Sequence, residues 1–404
     1  MNEYALQQPS QHKTRSTIGK IMIAGLLLRI TMLIIIMIFN ADGLDPYFIS
    51  DDIRYEQVAS RFLLHGNGPF DFAFLKKVTK GYLQPFWPTV LCISASLFKT
   101  IYAGRYLNVI ISTLCIKVVY NITLVLTEKE RSALFAGRLF AFLPIAITTC
   151  CFPIKDIFLT LAVMYAFYIF LLFHNQKRVT IFQLVLCITG LVCIYFTRGA
   201  VVELMGMFFA AYLLIGLIKK KRYGRAVLFA LLGGVVFILL KNKIMEAFLT
   251  KVDDYSGYNQ ESTGLLSYLQ MKNPWEFYKI PFAYLFATLQ PMTLNLFGAE
   301  GVNPWWRLMH VSNITIYPVA IANALYIFQK KHCAVFWWSG VIIYCAIVSM
   351  VLGIFRHYLF LIPLEMINCA LYYDRTEGRK NGILYLGSFG IFLAVLVYSF
   401  INLN

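Results

Sequence analysis

A chain of 404 residues that is 59% hydrophobic, 16% aromatic and only 14% charged departs far from a water-soluble domain, and no stretch is left over to form one beside a membrane part. Its net charge of +16 does not point to nucleic acid, because the basic residues fall in short clusters between apolar runs: HKTRSTIGK, EKER, NQKR, KKKRYGR, QKKH and DRTEGRK. The nine cysteines lie mostly inside apolar runs without a CxxC pair, so they read as small core residues.

The polar start MNEYALQQPSQHKTRSTIGK is long for the n-region of a signal peptide, and the apolar run 18–39 exceeds a signal h-region and lacks a small-residue cleavage site. It predicts a retained first span with the N-terminus in the cytoplasm. Further spans are predicted at 106–126, 133–150, 157–173, 181–197, 200–218, 226–240, 308–328, 334–353, 358–373 and 383–402, about eleven in all. Counting QPFWPTVLCISASLFKTIY as a crossing would put EKER, NQKR and KKKRYGR outside, against the bias of Lys and Arg toward the cytoplasm. The segment 85–104 is therefore predicted to lie re-entrant or interfacial on the outer face, and the same parity argument places FYKIPFAYLFATLQPMTLNLF there. The expectation is an all-α polytopic membrane protein, one transmembrane domain over 1–404, with long outer loops at 40–105 and 241–307.

Charges recur in the outer turns of this topology. In SDDIRYEQVASRFLLHG, Ser50 is a good N-cap and Asp51 and Asp52 fill the first turn of a helix that stops at Asn67-Gly68-Pro69. Capping alone accounts for acids there. Their place beside a span also lets Ile53, Val58 and Phe62 seat the helix on the membrane surface, with the carboxylates at headgroup depth and Arg54 beside them. After Pro153, Lys155 and Asp156 open another span. They read as an interfacial cap, or as a lysine for phosphate with an acid that binds a metal or orients a hydroxyl. Arg198 sits in a short predicted turn, where it either pairs with Glu203 or reads phosphate. Arg356 and His357 mark one more outer turn, and the nearby FRHYLFLIPLEM looks like a turn in membrane proteins of polysaccharide-assembly clusters. Lys117 and Glu365 fall within predicted spans and are expected to pair, Arg29 is expected to face the bundle interior, and Trp275, Trp305 and Trp306 to sit in the interfacial belt.

No Gly-rich phosphate loop, zinc spacing, Ser-His-Asp set or nucleotide-sugar-binding domain is evident, so a transferred sugar would have to arrive on a lipid. An acid would then take the proton of the acceptor hydroxyl while cations hold the departing phosphate.

The setting DD-x-x-Y-x-x-x-A (Asp51, Asp52, Tyr55, Ala59), a P-x-x-P amphipathic segment and AGRYLNVIIS opening the next span resemble the GT-C superfamily of integral-membrane glycosyltransferases, over roughly the first half of the chain. The resemblance implies a polyprenyl-phosphate-linked sugar donor, a lipid or glycan acceptor among the membrane lipids, and inversion at the anomeric carbon in cell-envelope polysaccharide assembly. It implies Asp51 or Asp52 as general base and Asp156 as supporting acid, with Mg2+ or Mn2+ held by Asp51 and Asp156. Lys155, Arg198 and Arg356 would hold phosphate, with Arg54 and His357 beside them, on the extracytoplasmic face of a bacterial-type inner membrane. The alternatives are a repeat-unit polymerase or ligase using polyprenyl pyrophosphate, a flippase or transporter, and a scaffold within an assembly complex.

Overall fold

A computed structural model of the chain describes residues 8–41, 50–82, 84–234, 276–279, 359 and 362–376, with isolated positions at 322, 389, 390, 393 and 397. Among the described residues the regular structure is helical, without strands. The helices are α1 (Gln8–Ala41), α2 (Ser50–His65), α3 (Phe72–Thr79), α4 (Phe86–Phe98), α5 (Ala103–Thr127), α6 (Glu130–Phe142), α7 (Pro144–Thr149), α8 (Asp156–His174), α9 (Ile181–Lys219), α10 (Tyr223–Gly234) and α11 (Ile362–Thr376). Among the described residues, four segments are long and apolar enough to cross a membrane: Ser16–Phe39, Ala103–Thr127, Asp156–His174 and Ile181–Gly199. The predicted span 334–353, Arg356, His357 and the three tryptophans lie outside the described residues, as do the predicted spans 308–328 and 383–402 and the second parity segment apart from the few positions just given.

The chain divides into two compact units, one of residues 1–199, 291–326 and 359–404, the other of residues 200–290 and 327–358. In the first unit α5 is the central helix, packed by α1, α6, α8 and α11. Its interior reads as a membrane core should, with small and β-branched residues such as Ser112, Cys115, Ile116 and Val119 buried along it. In the second unit α10 is a short apolar helix, and residues 200–219 of α9 precede it.

Side-chain contacts fix which ends of the first unit's helices lie together. Lys129, between α5 and α6, pairs with Asp374 at the end of α11 at 3.1 Å, and Ser132 donates to the same carboxylate at 2.9 Å. Lys177, after α8, pairs with Glu128 at 3.5 Å. Described residues of the clusters EKER, NQKR and DRTEGRK thus meet at one end, as the parity argument requires of loops on one side. The starts of α5 and α8 lie at the opposite end. Trp87, at the start of α4, donates to the carbonyl of Pro153 at 2.8 Å, and α4 runs into α5 through Lys99 in the left-handed region. Both ends of α4 therefore belong to the end where α5 and α8 begin, and the helix does not cross.

The chain returns between these ends through α6 and α7, a helix interrupted at Leu143-Pro144. Proline has no N–H to give to the carbonyl of Phe140, and extended Leu143 leaves that of Ala141 open as well. Arg29 on α1, fully buried, supplies the missing donors: Nη1 to Ala141 O at 3.0 Å and to Gly25 O at 2.9 Å, Nη2 to Phe140 O at 3.4 Å, and Nε to Ser112 Oγ at 2.9 Å. A Cβ on Gly25 would meet Ile116 at 2.8 Å and Arg29 at 3.1 Å, so glycine lets α1 close on α5 here. Arg29 faces the interior as predicted. The predicted Lys117–Glu365 hydrogen bond is not formed: neither Glu365 oxygen has a hydrogen-bond partner among the described residues, and Lys117 lies over the Tyr120 ring at 4.6 Å.

The amphipathic face of α2 is also used differently from the prediction. Val58 and Phe62 pack with Leu75 of α3 and Cys92 of α4 in a buried cluster, and Cys92 Sγ donates to Val58 O at 3.7 Å. That apolar face rests on α3 and α4, because a nearby protein surface offers closer packing than lipid at an interface.

Candidate functional site

The site grows from the helical phase of α2. Asp52, Tyr55, Glu56 and Ala59 stand at i, i+3, i+4 and i+7, and all four are buried. Asp51 falls a hundred degrees away on the wheel and is half-buried, while Arg54 is exposed and uses its carbonyl to accept from Tyr82 Oη at 3.1 Å. The acid turned inward is thus Asp52, whose Oδ1 also accepts from the N–H of Ile53 at 3.0 Å.

One turn on, Glu56 takes a bidentate grip from Arg105 of α5, Nε to Oε1 at 2.6 Å and Nη2 to Oε2 at 3.1 Å. The guanidinium lies between the rings of Tyr102 and Phe152, 5.6 and 5.8 Å from their centroids. Such a fork suits arginine alone, since a lysine offers neither the planar pair of donors nor the stacking. Asn108, one turn deeper on α5, donates to the carbonyls of Phe152 at 2.6 Å and Ile154 at 2.9 Å. With the bond from Trp87 to Pro153, this holds three successive carbonyls of the segment before α8. The pinned segment sets Lys155, half-buried, and Asp156, buried in the first turn of α8.

Arg198 arrives from α9. Its extended backbone, with φ −162° and ψ 81°, is the one non-helical position inside that helix, and its Nη1 lies 3.2 Å from Asp156 Oδ1. The same Oδ1 accepts no aligned hydrogen bond, so the contact is an ion pair without a directed N–H. Of the two roles open to Arg198, the ion pair described is with Asp156 and not with Glu203, which is exposed.

Outside the spans, the backbone N–H groups of Phe74 and Asn67 lower the pKa of Asp71, which caps α3. Burial raises that of Tyr82, stacked on Tyr55 at 5.9 Å.

Asp52, Glu56, Asp156, Arg105 and Arg198 are thereby carried to one end of the first unit by α2, α5, α8 and the close of the first half of α9. Lys155 belongs to the same end. Arg54 faces away, and Arg356 and His357 lie outside the described residues. For a metal held by Asp51 and Asp156, no group of three His, Cys, Asp or Glu side chains gathers among the described residues, and a guanidinium already faces one oxygen of Asp156. Glu56, Arg105 and Asn108 are the residues that sequence reasoning did not single out. The spacing of Glu56 four residues after Asp52 was their available signal.

The chain matches no known protein-family profile, and no curated protein sequence matches it.

Proposed function

We propose that the chain is a membrane-embedded glycosyltransferase that takes a sugar from a polyprenyl-phosphate-linked donor and passes it to a lipid or glycan acceptor on the extracytoplasmic face. The observation that carries this reading is the Asp156–Arg198 pair, a buried carboxylate and a partly exposed guanidinium at 3.2 Å, at the same end of the first unit as buried Asp52. A transferase of this kind needs one group to take a proton and another to hold a leaving phosphate. In the step, the acceptor hydroxyl gives its proton to a carboxylate and its oxygen bonds to the anomeric carbon. The bond from that carbon to the phosphate oxygen breaks, and the electron pair leaves with the phosphate, held by Arg198 and Lys155. Asp52 and Asp156 are the candidate bases, while Glu56 is committed to Arg105 and positions α2. The three basic clusters at the opposite end agree with a cytoplasmic side there.

Transfer of radiolabelled sugar from polyprenyl-phosphate donors into a membrane extract by the purified full chain tests the reading. Transfer by wild type that collapses in Asp52→Asn or Asp156→Asn, with folding intact, supports it. Absence of transfer from every monophosphate donor rejects it in favour of a polymerase or ligase using polyprenyl pyrophosphate.

A further inference from the structure

The guanidiniums of Arg29, Arg105 and Arg198 differ in what is left for a ligand. Arg29 is sealed and spends its donors on three carbonyls and a hydroxyl. Arg105 is sealed and committed to Glu56. Arg198 alone among these three combines an 18% exposed side chain with a single ion-pair contact, made through one nitrogen and without an aligned hydrogen bond. A guanidinium carries five N–H donors in a planar fork, and a tetrahedral phosphate accepts two of them in parallel. Asp156, as it stands, uses little of that capacity.

The two partners also differ in freedom. Asp156 is 2% exposed and sits in the first turn of α8, behind a segment whose carbonyls are held by Trp87 and Asn108. Its own carbonyl accepts from Thr160 Oγ1 at 2.7 Å. Arg198 hangs on a long side chain from an extended residue and reaches the surface. In an exchange of partners it is the arginine that turns.

From this we infer that Asp156 is a place-holder on Arg198: a phosphate oxyanion displaces it, and the carboxylate thus released becomes the group that takes the acceptor proton. The inference rests on the proposed transferase reading and adds an order of events to it. The base is masked by its own cation until a phosphate is bound, so a hydroxyl arriving without a donor meets an occupied carboxylate. The two residues then oppose each other in binding. Removing the arginine removes the phosphate's partner, whereas neutralising the aspartate removes its competitor and frees the competent state.

The test is titration of the detergent-purified full chain with a short-chain polyprenyl phosphate, with the matching polyprenol and inorganic phosphate run alongside. Arg198→Gln is expected to weaken binding of the polyprenyl phosphate about tenfold, and Asp156→Asn to tighten it about fivefold. Opposite signs confined to the polyprenyl phosphate assign the site to a lipid headgroup. The same signs with inorganic phosphate assign it to phosphate alone, and either result supports the exchange. Asp156→Asn that binds the phosphate more weakly than wild type, or equally, overturns it. Should Arg198→Gln fail to fold, Arg198→Lys and the Asp156→Asn result decide the same question. Because no sugar transfer is read, the outcome stands apart from the transferase assay. Opposite signs without transfer would leave the exchange and remove the transferase, and like signs with transfer would do the reverse.

Discussion

At the end of the first unit where α5 and α8 begin, Arg105 and Glu56 meet with side chains 0% and 3% exposed, whereas at the other end Lys129 and Lys177 are 62% and 41% exposed in their pairs with Asp374 and Glu128. The energetics of these ion pairs differ in kind between the two ends. Charges at the basic end stay in water and contribute little to holding the helices together. At the acidic end Arg105, Glu56 and Asp156 have been taken out of water, and each depends on its partner to offset the desolvation. A protein needing only solubility would keep its charges as the basic end does, so the buried set is where specific positioning and chemistry are expected.

The comparison is sharpened first by activity. Asp156→Asn is expected to lower sugar transfer from a lipid-linked donor by roughly 10²- to 10⁴-fold, the range for losing a group that moves a proton, with an unchanged melting profile. Next, Arg105→Ala should destabilise the first unit by about 3–5 kcal/mol in denaturant titration, because it strands Glu56 in the interior. The double variant Arg105→Met with Glu56→Gln should recover most of that loss, and a double variant as unstable as the single one would contradict the pairing argument. Asn108→Ala should cost about 1–3 kcal/mol, since the carbonyls of Phe152 and Ile154 would both lose their donor.

A smaller effect concerns α3. Asp71 is lowered below its ordinary value by backbone donors from Phe74 and Asn67, so its contribution is complete above the ordinary carboxylate range and is lost as pH falls through the depressed folded value. Hydrogen exchange over Phe72–Thr79, corrected for intrinsic rate, should therefore show less protection at acid pH than near neutrality, and Asp71→Asn should abolish that dependence. Smallest of all, Lys129→Ala should change stability by no more than about 1 kcal/mol, which would set the basic end apart from the acidic one in the same titration.

Much of this arrangement was legible in the chain. The charge clusters placed three loops together, and contacts among Lys129, Lys177, Glu128 and Asp374 put them at one end. Parity excluded a crossing at 85–104, and α4 begins and ends on one side. What was not legible depended on phase and on partners distant in sequence. Asp51 and Asp52 are equivalent as letters, and the wheel separates them only once Tyr55, Glu56 and Ala59 are known to share a buried face. Arg105 was not singled out, because its partner lies 49 positions earlier. Proximity in sequence offered Glu203 as one partner for Arg198, but the extended residue between two helical stretches turns Arg198 toward α8.

Arg29 bears on how the protein is made. Its closest interior acceptors outside its own helix come from Ser112, Phe140 and Ala141, the last 112 positions further along the chain. When the first span leaves the ribosome it carries a guanidinium whose insertion costs about 2.5–3.5 kcal/mol, with only Gly25 on the same helix to satisfy it. Translation at roughly 5–20 residues per second leaves that charge waiting on the order of ten seconds before α6 emerges. The seating of the first helix is thus completed by a later one, and a nascent chain truncated before Phe140 should be held less firmly in the bilayer than one extended past Pro144.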